Sequence, residues 1–232
     1  LYFTLGPQAI DDGVHNPDEI DDLATLLELL ISSFDVAELL PNPVIDNSDY
    51  KVNVSDTTYN APTVQLTPIP QGINLWARIL DFKTDVSANG KCFFCPNASG
   101  VIRIDEIRIQ STVNITTQNG QTNATLTDTQ VLLFGLDVDI NGILGSIFDF
   151  LVDFIVGGFS DSIESAFESE LGAAIPDLLE KAIGSLSLST TFEIPPLVPG
   201  ANGVDLQLTT GLEATVFNDD GGLIRMWGAA TT

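Results

Sequence analysis

The apolar residues of this sequence change their spacing twice along the chain, and that change limits the folds open to it. Between about residues 50 and 140 apolar and polar residues alternate, which is typical of antiparallel strands with one face in water. On either side of this region the apolar residues recur every three or four positions, which predicts amphipathic helices. The sequence therefore predicts an α+β fold in which a long antiparallel sheet packs on two helices.

The first helix is predicted to begin at Pro17 and to end near Phe34. Asn16 is a suitable N-cap, Pro17 fits the first helical position, and Glu19 follows three residues after the cap. The residues of its apolar stripe are Ile20, Leu23, Leu26, Leu27, Leu30, Ile31 and Phe34. Residues 1–15 carry no clear period and are predicted to be an irregular segment.

Long strands are predicted between Tyr50 and Ile140. The alternation changes phase near Asp105, so that the inward side moves from one set of alternate residues to the other. Asn119-Gly120 is a strong hairpin signal, because both residues accept the positive φ of a two-residue turn.

A second helical period follows for about 40 residues, from Ile143 to Ala182. Gly157-Gly158 and Pro176 mark bends or breaks within it. A straight helix of this length would reach roughly 60 Å, and a strand of 15 residues would reach roughly 50 Å. Because these lengths match, we expect the helix to lie along the sheet.

The main domain is predicted to span residues 16–217. Strands at 186–194 and 204–217 complete it, with a proline-rich turn between them. Residues 218–232 are predicted to form a turn and a strand, or a linker to a further domain.

The composition argues against several classes of function. The chain has 32 acidic residues against 8 Lys and Arg, a net charge of −24. Nucleic acids and anionic lipids such as lipopolysaccharide need clustered Lys and Arg, whereas the bases here are scattered singly. Hydrophobic residues make up 44% of the chain and charged residues 17%, so the apolar surplus has to be buried internally, against a ligand or against a partner. Aspartates interrupt the richest apolar stretch, residues 131–159, which therefore does not predict a transmembrane helix.

Cys92 and Cys95 flank Phe93 and Phe94 in a segment between two strands. A structural zinc site needs four ligands, and His15 is the single histidine, so one Cys-x-x-Cys pair is a weak metal signal. We expect a local disulfide or two free thiols. The phenylalanine pair predicts an exposed apolar tip that touches a membrane or a protein partner.

Four Asn-x-Ser/Thr triplets are compatible with a secreted protein. They begin at Asn53, Asn97, Asn114 and Asn123. Together with the cysteine pair they lead us to expect an extracytoplasmic location: secreted, periplasmic or cell-surface.

The sequence lacks the common catalytic motifs. It has no Gly-x-Ser-x-Gly, no phosphate-binding loop and no dinucleotide fingerprint, and any Ser-His-Asp arrangement would have to use His15. Asp137, Asp139 and Asn141 imitate the start of an EF-hand loop, but the twelfth position is Phe148 instead of glutamate. Paired-carboxylate hydrolysis stays open, because acids are plentiful. We expect a protein that is not an enzyme and that needs no cofactor and no metal.

The order of elements resembles one half of a tubular lipid-binding (TULIP) protein, the superfamily that includes bactericidal/permeability-increasing protein (BPI), lipopolysaccharide-binding protein and cholesteryl ester transfer protein. The likeness runs over residues 16–217. The segments that carry it are the early helix, the long meander, Ile-Leu-Gly-Ser-Ile-Phe at 143–148, the run 159–167, the run 178–183 and the final strand 204–213.

This resemblance implies a long, twisted antiparallel sheet wrapped around two amphipathic helices, a BPI-like half-barrel with a lipid tail in the seam between them. The sequence departs from the family in two respects. No cysteine pair can tie a strand to the long helix, and the basic tip by which some members bind lipopolysaccharide is missing.

The expected function is non-catalytic binding or transport of a lipid, a sterol-like molecule or another long apolar ligand. The expected lining residues are Leu23, Leu26, Leu27, Leu30, Phe34, Leu75, Ile79, Ile104, Ile143, Ile147, Phe148, Leu151, Phe154, Ile155, Phe159, Ile163 and Phe167. The alternative is a structural or adhesive surface module that docks a protein partner or a further domain through Phe93 and Phe94. Transient membrane contact fits either function, and nucleic acid fits neither.

Overall fold

The computed structural model describes residues 2–16, 18–33, 38, 42–118, 121–141, 157, 161–162, 165–166, 168–181, 189–195 and 203–231. Within these residues the helices are α1 (Pro7–Ile10) and α2 (Leu23–Ser32). Residues 168–181 are also helical. The strands are β1 (Tyr2–Leu5), β2 (Ile45–Asp46), β3 (Tyr50–Thr58), β4 (Thr63–Ile69), β5 (Gly72–Gly90), β6 (Ala98–Gln118), β7 (Gln121–Phe134), β8 (Asp137–Asn141), β9 (Ser189–Ile194), β10 (Val204–Asn218) and β11 (Gly221–Thr231).

The long central hairpin of β5 and β6 organises a seven-stranded antiparallel sheet. β5 pairs with β4 near its start and with β3 near its end. β6 pairs with β8 near its start and with β7 along the rest of its length. Alternating apolar residues on these strands are buried, so one face of the sheet points into the core. The predicted meander between residues 50 and 140 is therefore confirmed, although its hairpin signal Asn119-Gly120 lies outside the described residues.

Three aspartates with positive φ bend the strands of this sheet. Asp56 has φ 50° and Asp128 has φ 55°, and the strand register shifts beside each of them, as at a β-bulge. Asp81 has φ 54° in β5. In the partner strand Ile104 and Ile107 are both buried, so the change of phase predicted near Asp105 is confirmed.

A second sheet of four strands, in the order β1-β11-β10-β9, is built from the two ends of the described chain. It meets the larger sheet at the start of the central hairpin. There the Gln71 N–H donates to the Phe217 carbonyl at 3.2 Å, and the hydroxyls of Thr117 and Thr215 lie 2.8 Å apart. β1 and β11 pair with each other. β1 lies in the segment predicted to be irregular (1–15), and β11 lies in the segment predicted to form a turn and a strand (218–232).

The helices lie on the core with one face each. In α2 the buried residues include Ala24, Leu27 and Ile31, which follow the helical spacing. Residues 168–181 are helical through Pro176 without a break, and the buried residues of this segment are Leu171, Ile175 and Leu179.

The predicted start of the first helix is wrong. The helix begins at Leu23, and its N-cap is Asp22, whose side chain accepts a hydrogen bond from the Thr25 N–H. Asn16 instead closes an isolated turn, in which its carbonyl accepts from the Glu19 N–H at 3.0 Å and its Oδ1 accepts from the Asp18 N–H at 3.1 Å. The residues that predicted a helix cap therefore form this turn, and the helix does not begin there.

Candidate functional site

An apolar cavity of about 330 Å³ lies where the helices meet both sheets. Its size is at the lower end of the range of small-molecule pockets, about 300–1,000 Å³. The wall is formed by Leu5, Ala9, Ile10, Ile20, Asp21, Asp22, Leu23, Leu26, Ile73, Ile115, Leu179, Phe217 and Ile224. These residues come from β1, α1, the loop before α2, α2 itself, the central hairpin, the helical segment 168–181 and the smaller sheet. The cavity is therefore a seam between helices and sheets.

Asp22 is a buried acid in the wall of this cavity, with 5% of its surface exposed. Its Oδ1 accepts the Thr25 N–H at 2.7 Å and its Oδ2 accepts the Asp12 N–H at 2.8 Å. Burial acts to raise the pKa of the Asp22 carboxyl, but hydrogen bonds from Asp12 and Thr25 outweigh it and, with His15 nearby, hold the pKa below its usual range. The carboxylate is therefore ionised at neutral pH.

Two other acids attach the segment around the helices to the edge of the larger sheet. Glu28 Oε1 accepts the Val64 N–H at 2.6 Å, and Asp11 Oδ2 accepts the Leu66 N–H at 2.8 Å. His15 lies between them, with Nδ1 2.7 Å from Glu28 Oε1. These contacts satisfy backbone donors on the free edge of β4 and fix α1 and α2 against the sheet.

The residues predicted to bind lipid fall into three groups. Leu23 and Leu26 line the cavity. Leu30 is half-buried against the core, and the fully buried core residues are Leu27, Leu75, Ile79 and Ile104. The predicted residues outside the described part of the chain are Phe34, Ile143, Ile147, Phe148, Leu151, Phe154, Ile155, Phe159, Ile163 and Phe167.

Several wall residues were not predicted, for two reasons. Ile73 and Ile115 belong to the recognised alternating pattern, but nothing in that pattern tells which inward residues face a cavity and which face packed core. Leu5, Ala9 and Ile10 lie in a segment without a sequence period. Leu5 reaches the seam through the pairing of β1 with the distant strand β11, and Ala9 and Ile10 follow it in α1.

The loop between β5 and β6 carries a second feature, an exposed aromatic pair. Cys92 and Cys95 are joined by a disulfide. Between them, Phe93 is 95% exposed and Phe94 is 87% exposed, and their rings meet edge to face with centroids 5.0 Å apart. We call residues 92–95 the tip.

Lys91, the cation beside the tip, is already paired with an acid. The Lys91 ammonium contacts Asp46 and also donates to the Asn47 carbonyl at 2.9 Å. Its hydrogen bond holds the pKa of the Asp46 carboxyl below its usual range. Lys91 therefore offers little free positive charge to an anionic surface.

Two further concave regions lie on the surface, and polar residues contribute much of their walls. One, of about 530 Å³, runs between β7 and the helical segment 168–181. The other, of about 420 Å³, surrounds His15 beside β4. Neither region has the mostly apolar wall that burial of a lipid tail requires.

An ion-pair cluster occupies the outer face of the larger sheet. The guanidinium groups of Arg108 and Arg78 hold the pKa of the Glu106 carboxyl below its usual range. Arg108 also lies 4.5 Å from the centroid of the Phe134 ring. Two of the chain's eight cations are therefore engaged here, far along the strands from the tip.

Within the described residues, no helix combines the length and the hydropathy needed to cross a membrane. Asp49 lies close enough to Cys92 and Cys95 for the three side chains to share an ion. The cysteine sulfurs are bonded to each other, however, and a disulfide is not a thiolate ligand.

Comparison with known proteins supports the fold by structure and not by sequence. The protein is similar to the crystal structure of lipopolysaccharide binding protein, with a TM-score of 0.52 and 14% identity over 79% of this chain and 40% of that one. It is also similar to the solution structure of latherin, with a TM-score of 0.30 and 15% identity over 69% of this chain and 87% of that one. No protein-family model and no curated protein matches the sequence significantly.

The first of these similarities defines the class of fold. The chain has the tubular, BPI-like α+β fold, in which curled antiparallel sheets pack with helices. The fold predicted from the order of sequence elements is thereby confirmed. The chain spans 40% of the length of lipopolysaccharide binding protein.

Proposed function

We propose that this protein holds and carries a lipid or another long apolar molecule, without catalysing a reaction. The observation that carries this proposal is the apolar cavity of about 330 Å³ in the seam between helices and sheets. Its position agrees with the seam implied by the family resemblance, and its wall contains aliphatic side chains from every layer of the fold.

The energy of such binding comes from burial of the tail. Each methylene group moved from water into an apolar wall contributes about 0.8 kcal/mol. A ligand that places eight methylenes in the seam would gain roughly 6 kcal/mol before the cost of immobilisation. This is enough for reversible carriage, which a transport protein needs.

Lipopolysaccharide is a poor candidate for this ligand, although one structural neighbour is named for binding it. Its phosphate groups require clustered cations. The chain has 8 Lys and Arg against 32 acids, and described cations such as Arg78, Arg108 and Lys91 are already paired with acids.

A binding function also agrees with the chemistry of the cavity wall. In the described part of the wall, the ionisable residues are Asp21 and Asp22, and the lowered pKa of Asp22 does not suit a proton donor at neutral pH. The single histidine, His15, is turned toward Glu28 and Asp11.

The proposal is tested by native mass spectrometry of the purified chain, followed by organic extraction and identification of what is released. A stoichiometric adduct of a few hundred daltons that extracts as lipid supports carriage and names the ligand class. A chain that is empty, and that also fails to take up fluorescent fatty alcohol, fatty acid and sterol, would overturn the proposal.

A structural or adhesive surface module is the second candidate, and the exposure of Phe93 and Phe94 favours it. Aromatic anchors of this kind dominate protein interfaces. In this case the seam would stay empty, and the tip would bind a protein partner. A filled seam together with a tip that binds only lipid surfaces would count against this candidate.

We further propose an extracytoplasmic location. Disulfides such as Cys92–Cys95 persist in oxidising compartments. Asn97 and Asn123, which begin two of the Asn-x-Ser/Thr triplets, are exposed. Expression through a eukaryotic secretory pathway should therefore give a product whose mass falls on treatment with N-glycosidase, and an unchanged mass would remove this support.

A further inference from the structure

We infer that the cavity selects ligands whose polar end donates a hydrogen bond and carries no negative charge, an alcohol or an amine rather than a carboxylate or a phosphate. The inference rests on the proposed function, because it names the class of lipid that the seam would hold. It is carried by the two charged residues of the cavity wall and by their surroundings.

Among the described residues of the wall, the charged ones are both acidic. Asp21 and Asp22 line the cavity, and the other wall residues are apolar side chains from Leu5 to Ile224. Asp22 is 5% exposed, so water and salt screen its charge far less than the charge of a surface acid. An anionic end group placed in this cavity would meet a like charge at short range, and the wall residues that the structure describes include no Lys or Arg to offset it.

Asp22 also has acceptor capacity to spare. A carboxylate offers about four acceptor positions on its two oxygens. The Thr25 N–H occupies one position on Oδ1, and the Asp12 N–H occupies one position on Oδ2. A ligand hydroxyl or ammonium can therefore donate to Asp22 while the helix cap stays intact. Such a charge-assisted hydrogen bond is about twice as strong as a neutral one.

The buried surroundings make this discrimination effective. Ile10, Ile73 and Phe217 lie in the same wall and are each almost fully buried. A polar end that finds no partner in such surroundings loses its hydration without compensation. Alcohols and amines recover that loss at Asp22, whereas a carboxylate does not.

The test compares three ligands with one tail: 1-dodecanol, dodecylamine and dodecanoate. Their affinities for the purified full chain are measured at pH 7 by displacement of a neutral fluorescent probe. Because the tail is shared, its contribution cancels, and we expect dodecanol and dodecylamine to bind at least about tenfold more tightly than dodecanoate.

The variant Asp22→Asn separates this local charge from the charge of the whole molecule. Asparagine is also a good N-cap, and with it the preference for dodecanol over dodecanoate should fall to about threefold or less. The matched control is Asp18→Asn, which removes the same charge from an exposed residue of the same segment and should leave the preference unchanged.

A salt series keeps the inference testable if Asp22→Asn does not fold. At 0.5 M salt the screening length is about 4 Å, so repulsion by the net charge of −24 disappears while the effect of a buried neighbour persists. A preference that vanishes in salt overturns the inference, as does dodecanoate binding as tightly as dodecanol. Both results leave the proposed function standing. If none of the three ligands binds, the proposed function fails, and this inference fails with it.

Discussion

Asp22 is the N-cap of α2, and backbone amides hold its carboxylate in place inside the protein. Its two oxygens accept from Thr25 and from Asp12, ten residues earlier in the chain. One side chain thus caps the helix and ties the preceding loop to it. The helix that lines the cavity is oriented by this residue.

Replacing Asp22 with alanine should destabilise the fold at neutral pH. Loss of a helix N-cap costs about 0.5–2 kcal/mol, and here the Asp12 N–H also loses its acceptor. We expect a decrease of about 2 kcal/mol in the free energy of unfolding, measured by urea denaturation at pH 7. Asp18→Ala is the matched control and should change this free energy by less than about 0.5 kcal/mol.

The pH dependence of this difference has a definite sign. The pKa of Asp22 is lower in the folded state than its usual value, so the carboxylate stabilises the fold above the unfolded pKa of about 3.9. That contribution is lost as the pH falls below this value and through the folded pKa. The gap between wild type and Asp22→Ala should therefore be constant from pH 6 to 8 and narrow below pH 4. A gap that widened in acid would contradict this assignment.

The sequence could not identify Asp22 as the cap. Asn16, Pro17 and Glu19 form a better local signal, and Asp22 follows Asp21 in a run without a distinctive pattern. The choice depends on tertiary structure, because the Asp22 carboxylate also accepts from the Asp12 N–H, ten residues earlier in the chain. Ile20, predicted to lie on the buried stripe, is 55% exposed as a result.

At the scale of elements, curvature of the larger sheet depends on residues in the left-handed region. Asp56, Asp81 and Asp128 have φ between 50° and 55°. Aspartate tolerates this region better than most residues, but not as well as glycine. The periodicity of the sequence predicted the strands and the change of phase near Asp105, but it contained no signal for these bends.

Asp128 offers a clean test of this backbone requirement. A β-branched residue at positive φ is strained by about 1–2 kcal/mol, so Asp128→Val should lower the free energy of unfolding by about that amount. In Asp128→Gly the relief of strain offsets the greater flexibility of the unfolded chain, and we expect a change of less than about 0.5 kcal/mol. Equal effects of the two variants in urea denaturation would refute the requirement.

The attachment of α2 to the edge of β4 gives a second prediction at this scale. Glu28→Ala leaves the Val64 N–H without its acceptor, and an unsatisfied, partly buried amide costs about 1–3 kcal/mol. Glu28→Gln keeps an oxygen in the same place and should recover at least half of the loss. Urea denaturation measures both, and hydrogen exchange at Val64 should accelerate in the alanine variant only.

At the scale of the whole molecule, the order of helical and strand periods was enough to predict the fold. The closure of the seam was not predictable, because it uses the two ends of the described chain. β1 and β11 pair across more than 200 residues, and Leu5 and Ile224 reach the cavity through that pairing. A period reports which face of a strand is buried, but not which distant strand will cover it.

The location of the cavity predicts how its loss would affect binding. Leu26→Trp should fill part of the seam and reduce uptake of fluorescent fatty alcohol at least about tenfold. Leu30→Trp is the matched control, since Leu30 lies on the same helix and is outside the cavity wall. The free energy of unfolding of both variants should fall by no more than about 1–3 kcal/mol. Uptake that is equally reduced in both variants would mean that the seam is not the binding site.

The tip and the cavity lie at opposite ends of the central hairpin, and this separation leads to the last prediction. β5 has 19 residues, roughly 60 Å at 3.3 Å per residue. Its first residues reach the cavity through Ile73, and its last residue, Gly90, leads into the tip. A substitution at one end should therefore leave the function of the other end unchanged.

Phe93→Ser with Phe94→Ser should abolish sedimentation with phosphatidylcholine liposomes and leave the bound lipid unchanged in native mass spectra. The expected surface is zwitterionic, because the Asp49 carboxylate close to Cys92 and Cys95 would repel anionic lipid. Phe3→Ser with Phe192→Ser removes two other exposed rings and should not affect sedimentation. If the tip variant sediments like wild type, the tip does not bind lipid surfaces, and a protein partner becomes its better explanation. If it also loses its lipid, the two ends are coupled, and the seam must extend along the hairpin to the tip.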